Sequence, residues 1–294
     1  MDSPWKFLPS KSAILHLRFA FSFFLLPVFL FACSQAPEVI ALNAVLTFVI
    51  WHLLVYPASN GYNSYFDKDE GSIALLEKPP KVDKSLYYFS LILDATGLLL
   101  AAYVNWSLFF AVLIYGLFSK LYSHPAVRLK KFPAASFLIV IVFQGACVYW
   151  SSYAAISGLD IVVGWNINFL IAGLICSFLI GATYPLTQVY QHDEDRKRGD
   201  KTLSIVLGIK GSFYFSALFF LISIVLLGFY WYRLDEIYKF WLFLALVIPV
   251  IVFFGNWFLK VYNDSSEANF KNMSRMTLLS GGMMVVYFGI LNFI

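Results

Sequence analysis

Charge is what this chain has least of. Asp, Glu, Lys and Arg make up 13% of its 294 residues, against about 25% in a soluble domain. With 60% hydrophobic residues, that shortage excludes an ordinary water-soluble globule and implies an integral membrane protein. Cysteine is also scarce. Cys33, Cys147 and Cys176 each sit in an apolar run, without the close pairing that a zinc site or a disulfide framework needs, and read as packing residues. No internal repeat or low-complexity tract is evident, which argues against a solenoid or a disordered array. There is no basic patch interleaved with aromatics, and the net charge of +4 fits loop bias toward an anionic membrane surface rather than nucleic acid as a partner.

Long hydrophobic runs are abundant. A spanning helix needs about 20 apolar residues, because it rises about 1.5 Å per residue across a hydrocarbon core about 30 Å thick. Nine segments meet this requirement, roughly 13–33, 39–57, 86–104, 107–123, 133–154, 165–187, 211–232, 237–259 and 273–293. Asn105-Trp106 reads as an interfacial turn and keeps the third and fourth apart. With the N-terminus inside, the inner connections carry most of the Lys and Arg, including Lys68, Lys78, Lys81, Arg128, Lys130, Lys131 and 196–198. The outer ones carry little beyond Arg233 and Lys239. That asymmetry predicts an all-α, multi-pass protein in a bacterial cytoplasmic membrane, with its N-terminus and both acidic loops cytoplasmic. Leu30-Phe31-Ala32-Cys33 loosely resembles a lipoprotein cleavage site. The stretch before it is longer than a usual signal h-region, and we read it as the first span. Pro27 is tolerable there.

In such a chain the clustered charges point to function. The two longest polar connections, 58–85 and 188–210, are separated by four spans and so share a face. The first holds Asp67, Asp69 and Glu70; the second runs Gln191-His192-Asp193-Glu194-Asp195-Arg196-Lys197-Arg198. Charge runs are usually only solvated loops. Two acidic clusters facing each other would repel unless a cation neutralised them, and hard oxygen ligands suit Mg²⁺. Because Mg²⁺ usually combines one or two carboxylates with substrate phosphates, such a site would take an anionic substrate, with nearby Lys and Arg holding the remaining phosphate charge.

The chain resembles the UbiA family of intramembrane prenyltransferases, whose signatures are Asn-x-x-x-Asp-x-x-x-Asp after helix two and Asp-x-x-x-Asp after helix six, the latter commonly followed by Gly-x-x-Thr-Leu. Asn63 and Asp67 fit the start of the first signature. Asp195, Arg196, Gly199, Thr202 and Leu203 fit the end of the second, and Tyr122-Ser123-His124-Pro125-Ala126-Val127-Arg128-Leu129-Lys130 is similar to the family's basic, tyrosine-containing stretch. The resemblance implies one membrane domain over 1–294, with nine helices around a central cavity. It implies transfer of a prenyl group from a prenyl diphosphate to a lipophilic acceptor, with Mg²⁺ as cofactor and membrane lipid as surroundings. Quinone precursors, chlorophyll-type rings, haem and glycerol phosphates are all family acceptors.

The resemblance carries Asp67 and Asp195 over as principal magnesium ligands and catalytic residues, with Asp69 and Asp193 secondary. Asn63 would offer its amide oxygen and help bind substrate, with Tyr122, Arg128, Lys130 and Arg196 near the diphosphate. Gly71 and Gln191 stand where the family carries acids. Each segment keeps a neighbouring acid, and side chains two apart in an irregular loop can converge on one ion. The expectation is a reorganised metal site. Asp94, in the third span, either lines the acceptor cavity, takes a proton, or is held by a neighbouring helix. His192 reads as a base, a ligand or, more commonly, a loop residue. Two rivals remain: a non-catalytic isoprenoid-binding member of the family, and a transporter, although transporter sites lie near the midplane.

Overall fold

In a computed structural model, which describes residues 8–68, 70–74, 76–160 and 165–294, the described residues form an all-helical fold. Nine of the helices are long and apolar enough to cross a membrane: α1 Lys11–Gln35, α2 Ala41–Asp67, α3 Lys84–Val104, α4 Trp106–Ser123, α5 Pro133–Ser157, α6 Ile167–Arg198, α7 Leu203–Arg233, α8 Ile237–Asn263 and α9 Phe270–Ile290. Each contains or overlaps the segment expected from hydropathy. Asn105 separates α3 from α4, and its side chain accepts the Leu108 N–H at the start of α4. The expected interfacial turn is therefore a helix cap.

The helices close into a ring in which α9 packs back onto α1, while α6, the most buried, lies between α5 and α7. Several helices are interrupted. Val49–Val55 in α2 and Val142–Cys147 in α5 are π-helical, and α1 breaks at Arg18, which adopts left-handed backbone angles (φ 49°, ψ 49°). A left-handed conformation is uncommon for a residue with a side chain and marks sites where the fold imposes it. The described non-glycine residues with positive φ are Arg18, Lys68, Ala74, Arg128 and Asp235. Four of these five surround the two acidic segments.

Candidate active site

The second acidic segment is not the irregular loop expected from its polarity. From Pro185, α6 continues as a 3₁₀ stretch to Gln191 and then as about two helical turns, His192–Arg198. Its acids lie at the N-terminal end and its bases at the C-terminal end, the order that complements the helix dipole. This corrects one sequence expectation. Residues two apart on a helix point about 200° away from each other, so Asp195 is buried in the bundle while Asp193 and Arg196 are exposed. The structure does not bring Asp193 or Arg196 to the site. Gly199, at φ 72°, ends the helix as a left-handed cap that a side chain would disfavour. The chain then turns back so that Asp200 N–H donates to the Asp195 carbonyl (2.9 Å), and the Thr202 hydroxyl reaches the Asp195 carboxylate at 3.4 Å.

The two acidic segments meet. The Glu70 N–H donates to the Glu194 carboxylate (3.0 Å), the Gln191 amide to the Ser72 carbonyl (3.3 Å), and the Ala74 N–H to the Tyr190 hydroxyl (3.2 Å). At Gly71, a Cβ would approach a Glu194 carboxylate oxygen to 2.8 Å. The space where the resembled signature carries an acid is therefore taken by the opposite segment's own acid. Asp69 lies outside the described residues.

Below this contact, Asp67 (side chain 6% exposed) forms ion pairs with Lys130 and, at 3.7 Å, Arg128. Both bases come from the turn after α4, which Arg128 opens with left-handed angles. Arg128 also grips Asp200, a residue the sequence reading did not assign, in a two-pronged pair, Nε to Oδ1 and Nη2 to Oδ2, both 2.8 Å. Lys130 reaches Asp200 at 3.4 Å. Burial alone would push the Asp200 carboxyl up, but hydrogen bonding from Arg128 and the charges of Lys130 and Arg128 outweigh it and hold the group below the usual carboxylate range. The same pair raises the Arg128 guanidinium. Asn63 donates its amide N–H to Ser123 (2.9 Å), which leaves its amide oxygen as the atom available to a ligand.

Asp67, Asn63, Lys130 and Asp195 border a polar cleft of about 170 Å³. It adjoins an apolar cavity of about 540 Å³ that runs down the bundle. Arg18, Asn63, Tyr122, Tyr184 and Thr277 border both and form the collar between them. Within the collar the Tyr122 and Tyr184 hydroxyls lie 3.1 Å apart, and the Arg18 guanidinium donates to the Asn60 carbonyl. Arg198 borders the cleft in the place expected of Arg196, and is paired with Glu194. His192 is buried against Ser204 (2.7 Å), a structural role. Asp94 forms an ion pair with Lys120 of α4, whose ammonium lies 4.8 Å from the Tyr62 ring centre. That pair does not border the cleft or the cavity.

The nearness of Asp67 and Asp200 could not be read by spacing, because it depends on the α4 turn reaching between α2 and α6. Gly199 did carry a usable signal, since a glycine after a charged helical turn commonly ends the helix and reverses the chain.

The UbiA prenyltransferase family description matches residues 24–280. A digeranylgeranylglyceryl phosphate synthase from Thermococcus kodakarensis is 29% identical over 189 residues, or 62% of this chain and 63% of that protein. The match thus spans less than two thirds of that relative's length. Among solved structures, a UbiA homologue from Archaeoglobus fulgidus bound to DMAPP and Mg²⁺ aligns with a TM-score of 0.71 at 17% identity, over 97% of this chain and 100% of that one. A digeranylgeranylglyceryl phosphate synthase structure aligns with a TM-score of 0.61 at 19% identity, over 97% and 99%. At these identities the solved structures speak to the fold, and the family description, covering most of the length, speaks to descent. The chain belongs to the UbiA prenyltransferase family.

Proposed function

We propose that the protein transfers a prenyl group from a prenyl diphosphate to a lipophilic acceptor inside the membrane, with Mg²⁺ as cofactor. The observation that carries this reading is the cleft itself. Two segments more than a hundred residues apart bring Asp67 and Asp195 to one charged chamber, and that chamber opens through a tyrosine collar into an apolar cavity long enough for an isoprenoid tail.

The donor set fits magnesium. Asp67, Asp195 and the Asn63 amide oxygen are hard oxygen ligands. Among the described residues no group of three or more His, Cys, Asp or Glu could hold a metal alone. That matches an ion that relies on one or two carboxylates plus substrate phosphates. Charge balance points the same way. Around the cleft Asp67, Asp195, Asp200 and Glu194 offset Arg18, Arg128, Lys130 and Arg198. A diphosphate entering alone would bring uncompensated negative charge, so a cation must accompany it. Bound there, Mg²⁺ would draw electron density from the diphosphate and make it a better leaving group.

The chain's own residues supply the rest. Lys130 turns from Asp67 toward phosphate oxygens, while the Arg128 fork stays on Asp200, which aims its remaining N–H groups at the same oxygens. Tyr122 and Tyr184 place aromatic faces at the collar, where the allylic carbon carries positive charge as the carbon–oxygen bond breaks. The apolar cavity below keeps water from capturing that carbon. In orientation, the cleft and the N-terminus face the cytoplasm and the lysine-poor end faces the opposite side.

The test uses purified protein in lipid nanodiscs with Mg²⁺, a prenyl diphosphate and a panel of lipid acceptors, reading diphosphate release and the prenylated product. Asp67→Asn and Asp195→Asn are expected to abolish release. Normal turnover in both variants refutes the reading. Donor binding without turnover in the wild type would instead mark an isoprenoid-binding protein, and chemically unchanged substrate accumulating inside proteoliposomes would mark a transporter. Mass spectrometry of co-purifying lipid narrows the acceptor class.

A further inference from the structure

Beyond the end of the apolar cavity farthest from the acids lies a cluster of buried rings. Phe31 from α1, Tyr149 from α5, Tyr230 and Trp231 from α7, and Tyr287 and Phe288 from α9 are all buried, none more than 3% exposed. Their ring centres are closely spaced: Phe31 to Phe288 4.8 Å, Phe31 to Tyr149 5.3 Å, Tyr230 to Trp231 5.0 Å and Tyr287 to Phe288 4.9 Å. Two polar tips lock the assembly from within. The Trp231 indole N–H donates to the Tyr287 hydroxyl (2.7 Å), and the Tyr230 hydroxyl donates to the Gln35 amide oxygen (2.6 Å). Of these six residues Phe288 borders the cavity. The other five stand behind it.

This plug fixes a length. Along α9, Thr277 at the collar and Phe288 at the plug are eleven residues apart, about 16 Å at 1.5 Å per residue. Along α6, Tyr184 and Cys176, both bordering the cavity, are eight apart, about 12 Å. An extended isoprene unit adds four main-chain carbon–carbon steps, roughly 4.5–5 Å with standard bond dimensions. The α6 stretch therefore takes between two and three units, and the full α9 drop from collar to plug takes three to four.

We infer that the aromatic plug is a ruler that limits the prenyl donor to about four isoprene units, with Phe288 as the residue that sets the limit. The inference rests on the transferase reading for the identity of the donor. Its geometric content is that a straight tail meets a rigid, hydrogen-bonded stop before it reaches the far membrane face.

The experiment measures two things over a series of donors from ten to forty carbons. One is binding of unreactive thio-diphosphate analogues with Mg²⁺ and no acceptor; the other is turnover of the true diphosphates. In the wild type both should hold up to twenty carbons and fall at least about tenfold at twenty-five, a step in keeping with what a shaped apolar pocket achieves. Phe288→Ala should move the fall one unit longer, and Phe288→Leu should move it part of the way. Ile224→Phe, which narrows the cavity wall, should move it one unit shorter. Should Phe288→Ala fail to fold, the leucine and Ile224 variants carry the test. The ruler is overturned if the wild type handles thirty- and forty-carbon donors as well as twenty, which means that the tail leaves sideways into lipid, or if the variants keep the wild-type cutoff. A cutoff in binding without any transfer leaves the ruler standing and removes the transferase reading. Transfer without a cutoff does the reverse.

Discussion

Replacing Asp200 with Asn tests the least visible part of the site. The Asp200 side chain is fully buried and takes both prongs of the Arg128 guanidinium, itself 12% exposed, with Lys130 3.4 Å away. Removing one partner from a buried ion pair typically costs about 3–5 kcal/mol. Asn keeps one acceptor oxygen in nearly the same place, so the loss here should fall at or below the bottom of that range, about 2–3 kcal/mol of stability. The functional cost follows from aim. If Arg128 contributes one charge-assisted hydrogen bond to the diphosphate, worth about 1.5–3 kcal/mol, its misplacement lowers kcat/KM by roughly tenfold to 150-fold. The lowered Asp200 carboxyl adds a pH signature. A group whose folded pKa lies below its unfolded value stabilises the fold at pH above the unfolded pKa, and that contribution is lost as pH falls through the folded one. The wild type should therefore show an acid-side loss of melting temperature below about pH 4 that Asp200→Asn lacks, and no titration of this group between pH 5 and 8. The assays are thermal melting in nanodiscs across pH and diphosphate release across donor concentration. An Asn variant with wild-type melting temperature and wild-type donor affinity would refute the positioning role.

Four further outcomes follow from the same contacts. Lys120→Met should destabilise the fold by leaving Asp94 without its partner on α4, and Lys120→Met with Asp94→Leu should recover most of that in a melting assay. Gly71→Asp restores the acid of the resembled signature yet sets it against Glu194; it should lower activity, and Glu194→Gln in the same chain should recover it. Gly145→Ala places a methyl 2.5 Å from the Ser177 backbone, an overpacking of α5 on α6 that should cost at least about 1–3 kcal/mol, read as a drop in melting temperature. Removing Mg²⁺ with a chelator should weaken prenyl diphosphate binding far more than binding of the corresponding prenyl alcohol, because the charge balance of the cleft concerns only the diphosphate; equal loss for both ligands would count against the ion.

Hydropathy revealed the nine spans and their order because spanning helices must satisfy their own backbone within each segment, which makes the signal local. The acidic clusters stood out because charge is scarce in this chain, and the resemblance to the family signatures singled out Asp67 and Asp195 within them. What failed was direction. The run 192–198 is polar enough to suggest a loop, and only its continuation from α6 as a helix separates Asp195, which faces the cleft, from Asp193 and Arg196, which do not. Partnership was equally hidden. Asp200 reads as one more loop charge until the Gly199 cap folds it back, and Arg128 reaches it from a turn 72 residues earlier.

The two departures from the signature, Gly71 and Gln191, now have a common physical explanation. Glu194 accepts the Glu70 N–H and crowds the Gly71 position, while Gln191 donates to the Ser72 carbonyl. A pair of acids at 71 and 191 would face Glu194 and a carbonyl oxygen, and these would repel them in the absence of a further cation. An amide and a hydrogen atom there instead let the two segments bond directly. In this chain residues 70–74 and 190–194 bond to each other, and in the proposed reading Asn63, Asp67 and Asp195, which border the cleft, remain to bind what enters it. That division predicts a single dominant magnesium-binding event. A titration of Mg²⁺ against prenyl diphosphate binding should fit one site, and Gln191→Asp should open the segments without adding a second.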